Sequence, residues 1–271
     1  DYGLDKPFFV QLGLYMANVV QFDFGYSFFF NTPVTSLIAE RLPATLLLVF
    51  TAQLFALVIG VVLGVISAQR PNGMLSHFVT LLALFGYSAP VFWTGIMLLI
   101  GLSLMLPLFP VAGMVDARLM DAPMLRQYLD VLHHLFLPAL TLASIFLALY
   151  SRLCRASMLE VLGADYIRTA RAKGLTEREI VYKHALKNSL GPVVTLAGLQ
   201  FSAVVSGAVL VETVFSWPGL GTLALQSILA RDTPTILGIL FFSALVVIVG
   251  NLLTDLVLRL IDPRIRSGGG G

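Results

Sequence analysis

The sequence predicts an all-α membrane protein: a polytopic transmembrane helical bundle of five spans with one cytoplasmic helix-turn-helix loop. Three observations predict it. Of the 271 residues, 58% are apolar and only 12% are charged, about half the charged share of a soluble domain, and the mean hydropathy is +0.90. A water-facing surface cannot be assembled from so few charges. Apolar stretches of the length a bilayer demands recur along the chain, and Lys and Arg are divided unevenly between alternate loops even though the net charge is only +2. One cysteine, Cys154, and 19 Phe exclude a disulfide scaffold, a Cys-rich metal site and a disordered chain.

Residues 1–41 read as an external interfacial segment, too polar and interrupted to span. They hold Phe22, Phe24, Tyr26, Phe28, Phe29 and Phe30, rings of the kind that favour the headgroup layer; a lid over a pore mouth is the functional alternative. Within the segment Thr32 reads as an N-cap and Pro33 as the first residue of a short helix ending near Arg41 and Pro43. The transmembrane domain then covers 42–266. A hydrocarbon core about 30 Å thick needs roughly 20 apolar residues per helix, and charge-free runs at 42–68, 78–106, 135–150, 191–211 and 235–258 supply five spans, the second containing the breaker Pro90. These runs lack the alternation of a membrane strand. Ser267 and the four glycines after it read as a flexible tail or fusion scar.

With loops on alternate sides, twelve of the seventeen basic residues share one face: Arg70, Arg152, Arg155, six between 168 and 187, and Arg259, Arg264 and Arg266. The other face receives Lys6, Arg41, Arg118, Arg126 and Arg231 among nine acidic residues. The basic face is therefore expected in the cytoplasm, with the loops at 71–77 and around Gly174 inside and those at 114–128 and 217–221 outside. Five spans place the N-terminus outside, yet Asp1-Tyr2-Gly3 opens no signal peptide. The expectation is that a preceding helix is missing from the chain.

The loop at 152–190 is the longest on the basic face. Asp165 reads as the N-cap of a helix over 166–173, and Gly174 suits the left-handed position that ends it. Thr176 and Glu179 form a capping box opening a second helix through Leu186. Tyr166 and Ile167 offer apolar contact, Ala170 and Ala172 a thin surface, and Arg168, Arg171 and Lys173 charge. Such a projection suits docking against another protein; a basic loop lying on anionic lipid has the same composition.

These residues carry a resemblance. The stretch Asp165-Tyr166-Ile167-Arg168-Thr169-Ala170-Arg171-Ala172-Lys173-Gly174-Leu175, continued by His184 to Asn188 and by Pro192, resembles the cytoplasmic signature loop of permease subunits of bacterial ABC importers, and more narrowly their dipeptide, oligopeptide and nickel branch. Gly3 to Pro7, Val211 to Gly221 with Arg231-Asp232, and Asp262 to Arg266 agree in the same order. The loop departs from the general Glu-Ala-Ala form, with Arg168 and Thr169 where Glu and the first Ala would stand and only Ala170 keeping its type. Family members also carry a helix before the Gly3 stretch, making six spans.

The resemblance implies a multi-pass protein of the bacterial inner membrane, a permease that forms half of a peptide pathway and is not itself an enzyme. It implies a second, non-identical permease subunit, two cytoplasmic ATPase subunits holding ATP and Mg, an external substrate-binding protein and surrounding lipid, with no nucleic acid and no cofactor in this chain. Tyr166, Arg168, Ala170, Arg171, Gly174 and Leu175 are then the contacts to the ATPase. Trp217, Pro218 and Gly219 form an external loop, either a shallow re-entrant turn that receives substrate or a plain interfacial anchor. Dipeptides, longer peptides, glutathione-like compounds and nickel chelates all remain open as substrates.

Other chemistries find little support. No Gly is followed by Lys, so the phosphate-cradling P-loop is absent, as are His-Glu-x-x-His and Gly-x-Ser-x-Gly. His133 and His134 are adjacent, about 100° apart on a helix, and read as interfacial histidines rather than metal ligands. Cys154 reads as a small apolar filler, and Ser206-Gly207 and Ser88-Ala89-Pro90 as close-packing and kink positions. Asp255 is the one carboxylate well inside an apolar run: a functional group by position, or a helix-end partner of Arg259. An ion-coupled secondary transporter is the alternative function; it would carry more charge at the midplane, and an intramembrane enzyme would show a catalytic constellation.

Overall fold

Helices carry the chain in the computed structural model, which describes residues 7–119 and 121–261. The expected motifs at 3–6 and 262–266 and the tail at 267–271 lie outside the described residues. Among the described residues, three helices are long and apolar enough to cross a membrane, and two further pairs, each bent at a short break, raise the number to five if each pair is one span.

Residues 7–41 pack in part against the bundle. Helix α1 (Phe8–Val20) leaves Phe8 and Phe9 exposed but buries Val19. After it the chain turns through a two-residue antiparallel pair, β1 (Tyr26–Ser27) against β2 (Thr32–Pro33). Phe24 is buried, with its ring 5.1 and 5.4 Å from Phe241 and Phe242.

Thr32 does not cap a helix, being paired in β2; Pro33 is the N-cap of α2 (Val34–Gln69). This helix runs straight past the expected end at Arg41, with Pro43 inside it. Proline removes one helical N–H bond, but Leu37, Ile38, Ala44 and Leu48 around it are buried and their packing outweighs the lost bond. At 1.5 Å per residue, 36 residues make a rod of about 54 Å, longer than the roughly 30 Å bilayer core.

The run at 78–106 is broken where its proline falls. Helix α3 (Met74–Ser88) ends at Ala89, which is extended at ψ 135°, as the residue before a proline must be, and Pro90 caps α4 (Val91–Leu99). The pair bends by 109°, and α4 passes into π-helical turns over Ile100–Met105.

Helix α5 (Met124–Leu162) runs beyond the apolar run at 135–150 in both directions, so that Arg152 and Arg155, expected in the following loop, lie on the continuing helix. A helix that leaves the bilayer needs no apolar residues to continue, so a charge-based boundary falls short. Along its length α5 packs on α2 through Gly60 and Gly64. A Cβ on Gly60 would stand 3.0 Å from Tyr150 Cβ, and one on Gly64 2.6 Å from Cys154 Cβ. This is a small-xxx-small crossing, and the buried Cys154 fills it, its thiol 3.7 Å from the Val61 carbonyl.

The fourth run starts earlier and is kinked. Helix α6 (Asp165–Ala172) and the single turn α7 (Glu177–Glu179) precede π-helical turns over Ile180–Ala185, which lead without a stop at Leu186 into α8 (Leu186–Leu199). A 55° bend at Gln200 then starts α9 (Phe201–Val214). Helices α10 (Leu220–Leu229) and α11 (Thr233–Ile261) complete the bundle.

Two ends are thus defined by contacts. At one, Arg155 Nη2 donates to the Pro71 carbonyl at 3.3 Å, joining the 71–77 turn to the end of α5 from which α6 projects. At the other, Gly113 N donates to the Phe215 carbonyl at 2.9 Å, and Ser27 Oγ donates to the Asp232 carboxylate at 2.5 Å.

Candidate functional site

The α6–α7 projection is built by local hydrogen bonding. Its N-cap is Ala164, so Asp165 stands one residue inside the helix rather than at the cap; there its carboxylate faces the positive helix end and accepts from Arg168 Nη1 at 3.3 Å. At the other end Gly174 N donates to Arg171 O at 2.9 Å and Leu175 N to Ala170 O at 3.3 Å. That is the Schellman pattern. It requires the positive φ of 81° found at Gly174, while nothing lies within 4 Å of where a Cβ would be. Glycine is needed for its backbone, not for space.

Thr176 and Glu179 form the expected capping box: Glu179 N donates to Thr176 Oγ1 at 3.3 Å and Thr176 N to Glu179 Oε2 at 3.0 Å. Across the glycine turn, Arg171 grips Glu177 with two bonds, Nε to Oε1 at 2.8 Å and Nη2 to Oε2 at 3.3 Å. This fork holds the Glu177 carboxyl below the usual carboxylate range. Asn188 Nδ2 donates to Tyr166 Oη at 2.9 Å, bracing α6 to α8.

Inside the projection Ile167, Ala170 and Ile180 are buried together, with Leu175 packed on them. Ala170 and Ile167 therefore face inward and make no outer surface, because the α-helical period that exposes Arg168 and Arg171 turns them toward Ile180 at the start of the π-helical turns. Tyr166, Arg168, Arg171 and Gly174 are exposed and Leu175 is half-buried. The outer surface is an aromatic ring among guanidinium groups.

At the opposite end Trp217 is fully buried against its own chain. Its indole Nε1 donates to Ala44 O on α2 at 2.8 Å. The turn closes on Glu212, also fully buried and unremarked in the sequence reading. Thr45 Oγ1 donates to Glu212 Oε1 at 2.6 Å, and Gly221 N and Thr222 N at the start of α10 donate to Oε2 at 2.7 and 3.2 Å. Thr45 in turn accepts from Leu220 N at 2.7 Å. Added Cβ atoms would fall 2.2 Å from Glu212 Oε1 at Gly219 and 2.6 Å from Val209 Cα at Gly221, so these glycines are dictated by the carboxylate and by α9. A lone Glu at the end of an apolar run, followed by Trp-Pro-Gly-x-Gly, was the available signal.

The remaining candidates resolve separately. His133 pairs with Leu108 O at 2.7 Å and His134 with Asp130, so the two rings share no site. Among the described residues no three His, Cys, Asp or Glu side chains gather as metal ligands. Gly207 packs on Leu142, as a close-packing position should. Asp255 is exposed, and the side chain of Arg259 lies outside the described residues.

The described residues fold as a bundle of helices apolar enough to cross a membrane, two of the candidate spans bent, with a basic, self-capped two-helix projection at one end. The sequence profile of the binding-protein-dependent transport system inner membrane component matches residues 60–267. The chain is 42% identical over 265 residues to the oligopeptide transport system permease protein AppB of Bacillus subtilis, covering 97% of this chain and 82% of that one. It is 41% identical over 280 residues to the dipeptide transport system permease protein DppB of Escherichia coli K12, covering 97% and 83%. Its fold is similar to an inward-facing structure of the MetNI methionine ABC transporter, with a TM-score of 0.65 at 19% identity over 83% of this chain and 96% of that one. The chain belongs to the family of binding-protein-dependent transport system inner membrane components, and is a permease of the ABC importer class, an inner-membrane transport subunit.

Proposed function

We propose that the chain forms half of a peptide pathway through the inner membrane, paired with a second, non-identical permease subunit. An external binding protein delivers the peptide, and two cytoplasmic ATPase subunits holding ATP and Mg drive the cycle. The end bearing Arg70, Arg155 and the α6–α7 projection faces the cytoplasm, in keeping with the distribution of Lys and Arg. Coupling passes through Tyr166, Arg168, Arg171 and Gly174, while Ala170 and Leu175 act from beneath by holding the two helices at their angle. The outer turn at Trp217, Pro218 and Gly219 braces α2 against α9 and α10 beside the external mouth.

One observation carries this reading: the projection is fixed by its own caps, fork and small core, so a push on Arg168 or Tyr166 moves α8 as a lever instead of bending the loop. Peptide specificity is the reading favoured by the relatives' names. Uptake of labelled dipeptides and longer peptides into proteoliposomes containing the assembled transporter and its binding protein tests it; uptake that needs ATP and saturates with one peptide class supports the proposal. Peptide-independent ATP consumption with no accumulation of any peptide would contradict it.

A further inference from the structure

Helices α2, α3 and α5 enclose a cavity of about 260 Å³ at the basic end, lined among others by Ser67, Val79, Thr80, Arg152, Arg155 and Leu159. Arg152 and Arg155 are three apart on α5 and so lie on one helix face. Arg155 is pinned by its bond to Pro71 O, yet its Nε is buried without an acceptor in the chain. Ser67 is 1% exposed, and its hydroxyl also has no partner. Thr80 already donates to Ser76 O at 2.8 Å, leaving its oxygen to accept.

Two buried donors beside one cavity are costly unless an acceptor reaches them. No Asp or Glu lines the cavity, and among the described residues none accepts from Arg155 Nε or Ser67 Oγ. The chemistry required is a compact, oxygen-rich anion. The walls add a second requirement, since Val79, Ala156 and Leu159 present apolar surface that a fully hydrated ion would not use and the methylenes of an acyl chain would.

We infer that this cavity binds the phosphate of an anionic phospholipid from the cytoplasmic leaflet, with Arg155 Nε and Ser67 Oγ donating to its oxygens and Arg152 supplying charge. Basic pockets between membrane helices on this side are suited to such headgroups. The inference rests on the orientation proposed above. A lipid held there ties the 71–77 turn to the segment of α5 that leads into α6, and so steadies the base of the projection.

Native mass spectrometry of the transporter purified with its partner subunits tests the site, with phosphatidylglycerol, phosphatidylethanolamine and inorganic phosphate as probes. Phosphatidylglycerol should bind more tightly than phosphatidylethanolamine, and Arg155→Gln should weaken its retention roughly fivefold. Ser67→Ala removes no hydrogen bond within the chain, so it should keep the fold and still weaken retention; Arg126→Gln, at the other end, should not. Unchanged retention in both Arg155→Gln and Ser67→Ala would overturn the site, and displacement by inorganic phosphate would make it a soluble-anion site instead. Thiol labelling of the loops reads the orientation independently, so a wrong orientation and a wrong site give different results.

Discussion

Thr45 and Glu212 lie 167 positions apart in the chain and share a 2.6 Å hydrogen bond in the buried end of the bundle opposite the α6–α7 projection. Through it α2, α9 and α10 meet at one carboxylate, which accepts from a hydroxyl and two backbone amides. Trp217, bonded to Ala44 one residue away, covers the same junction.

Removing that acceptor leaves three donors in the interior. Glu212→Ala should therefore lower stability by about 2 kcal/mol or more, and Thr45→Val, which orphans the Leu220 amide but leaves the Gly221 and Thr222 amides on the carboxylate, by less. Thermal unfolding in detergent orders the two variants. Equal midpoints for Glu212→Ala and the wild type would show that the carboxylate does not hold the turn.

The crossing of α2 and α5 gives a second expectation. Gly64→Leu places side-chain atoms where Cys154 already stands and should cost about 1–3 kcal/mol, seen as lost abundance of folded protein. Gly64→Ala combined with Cys154→Gly should recover part of the loss from Gly64→Ala alone. Recovery stays incomplete because Ser151 O also lies within 2.8 Å of the new Cβ. Gly101→Ala, in open space, should change little.

The fork across the glycine turn predicts a charge-reversal pattern. Arg171→Glu and Glu177→Arg should each loosen the projection and weaken ATPase binding, since each sets like charges side by side. The double reversal should restore the fork but not an outer contact of Arg171 with the ATPase. Co-purification of the ATPase separates these roles: recovery in the double variant assigns Arg171 to internal bracing, and continued loss assigns it to docking.

What could be read from the sequence was what is local. The Schellman glycine and the capping box depend on residues within six positions of one another, so Gly174 and Thr176 could be assigned from spacing. The bundle was legible because apolar runs report the bilayer. Helix lengths were not, since Arg152 and Arg155 end an apolar run without ending α5, and Pro43 ends nothing where tertiary packing supports it. The burial of Trp217 and Glu212 depends on α2, far away in sequence, and no local pattern announces it.

Orientation is checked by single cysteines in a Cys154→Ser background. A cysteine at Asn72 or Lys173 should resist a membrane-impermeant thiol reagent in intact spheroplasts, and one at Asp116 should react. Labelling of Lys173→Cys from outside would reverse the assignment of both ends.

The central claim is that the α6–α7 projection transmits ATP hydrolysis to the bundle. It is tested most directly by measuring ATP hydrolysis and peptide uptake together in proteoliposomes carrying Gly174→Val. A β-branched residue at φ 81° costs on the order of 1 kcal/mol or more and forces the two helices from their angle, while the open space around Gly174 spares the bundle. The account predicts normal membrane abundance with uptake lost and the ATPase either released or hydrolysing ATP without regard to substrate. Wild-type uptake with the ATPase bound and regulated would contradict it.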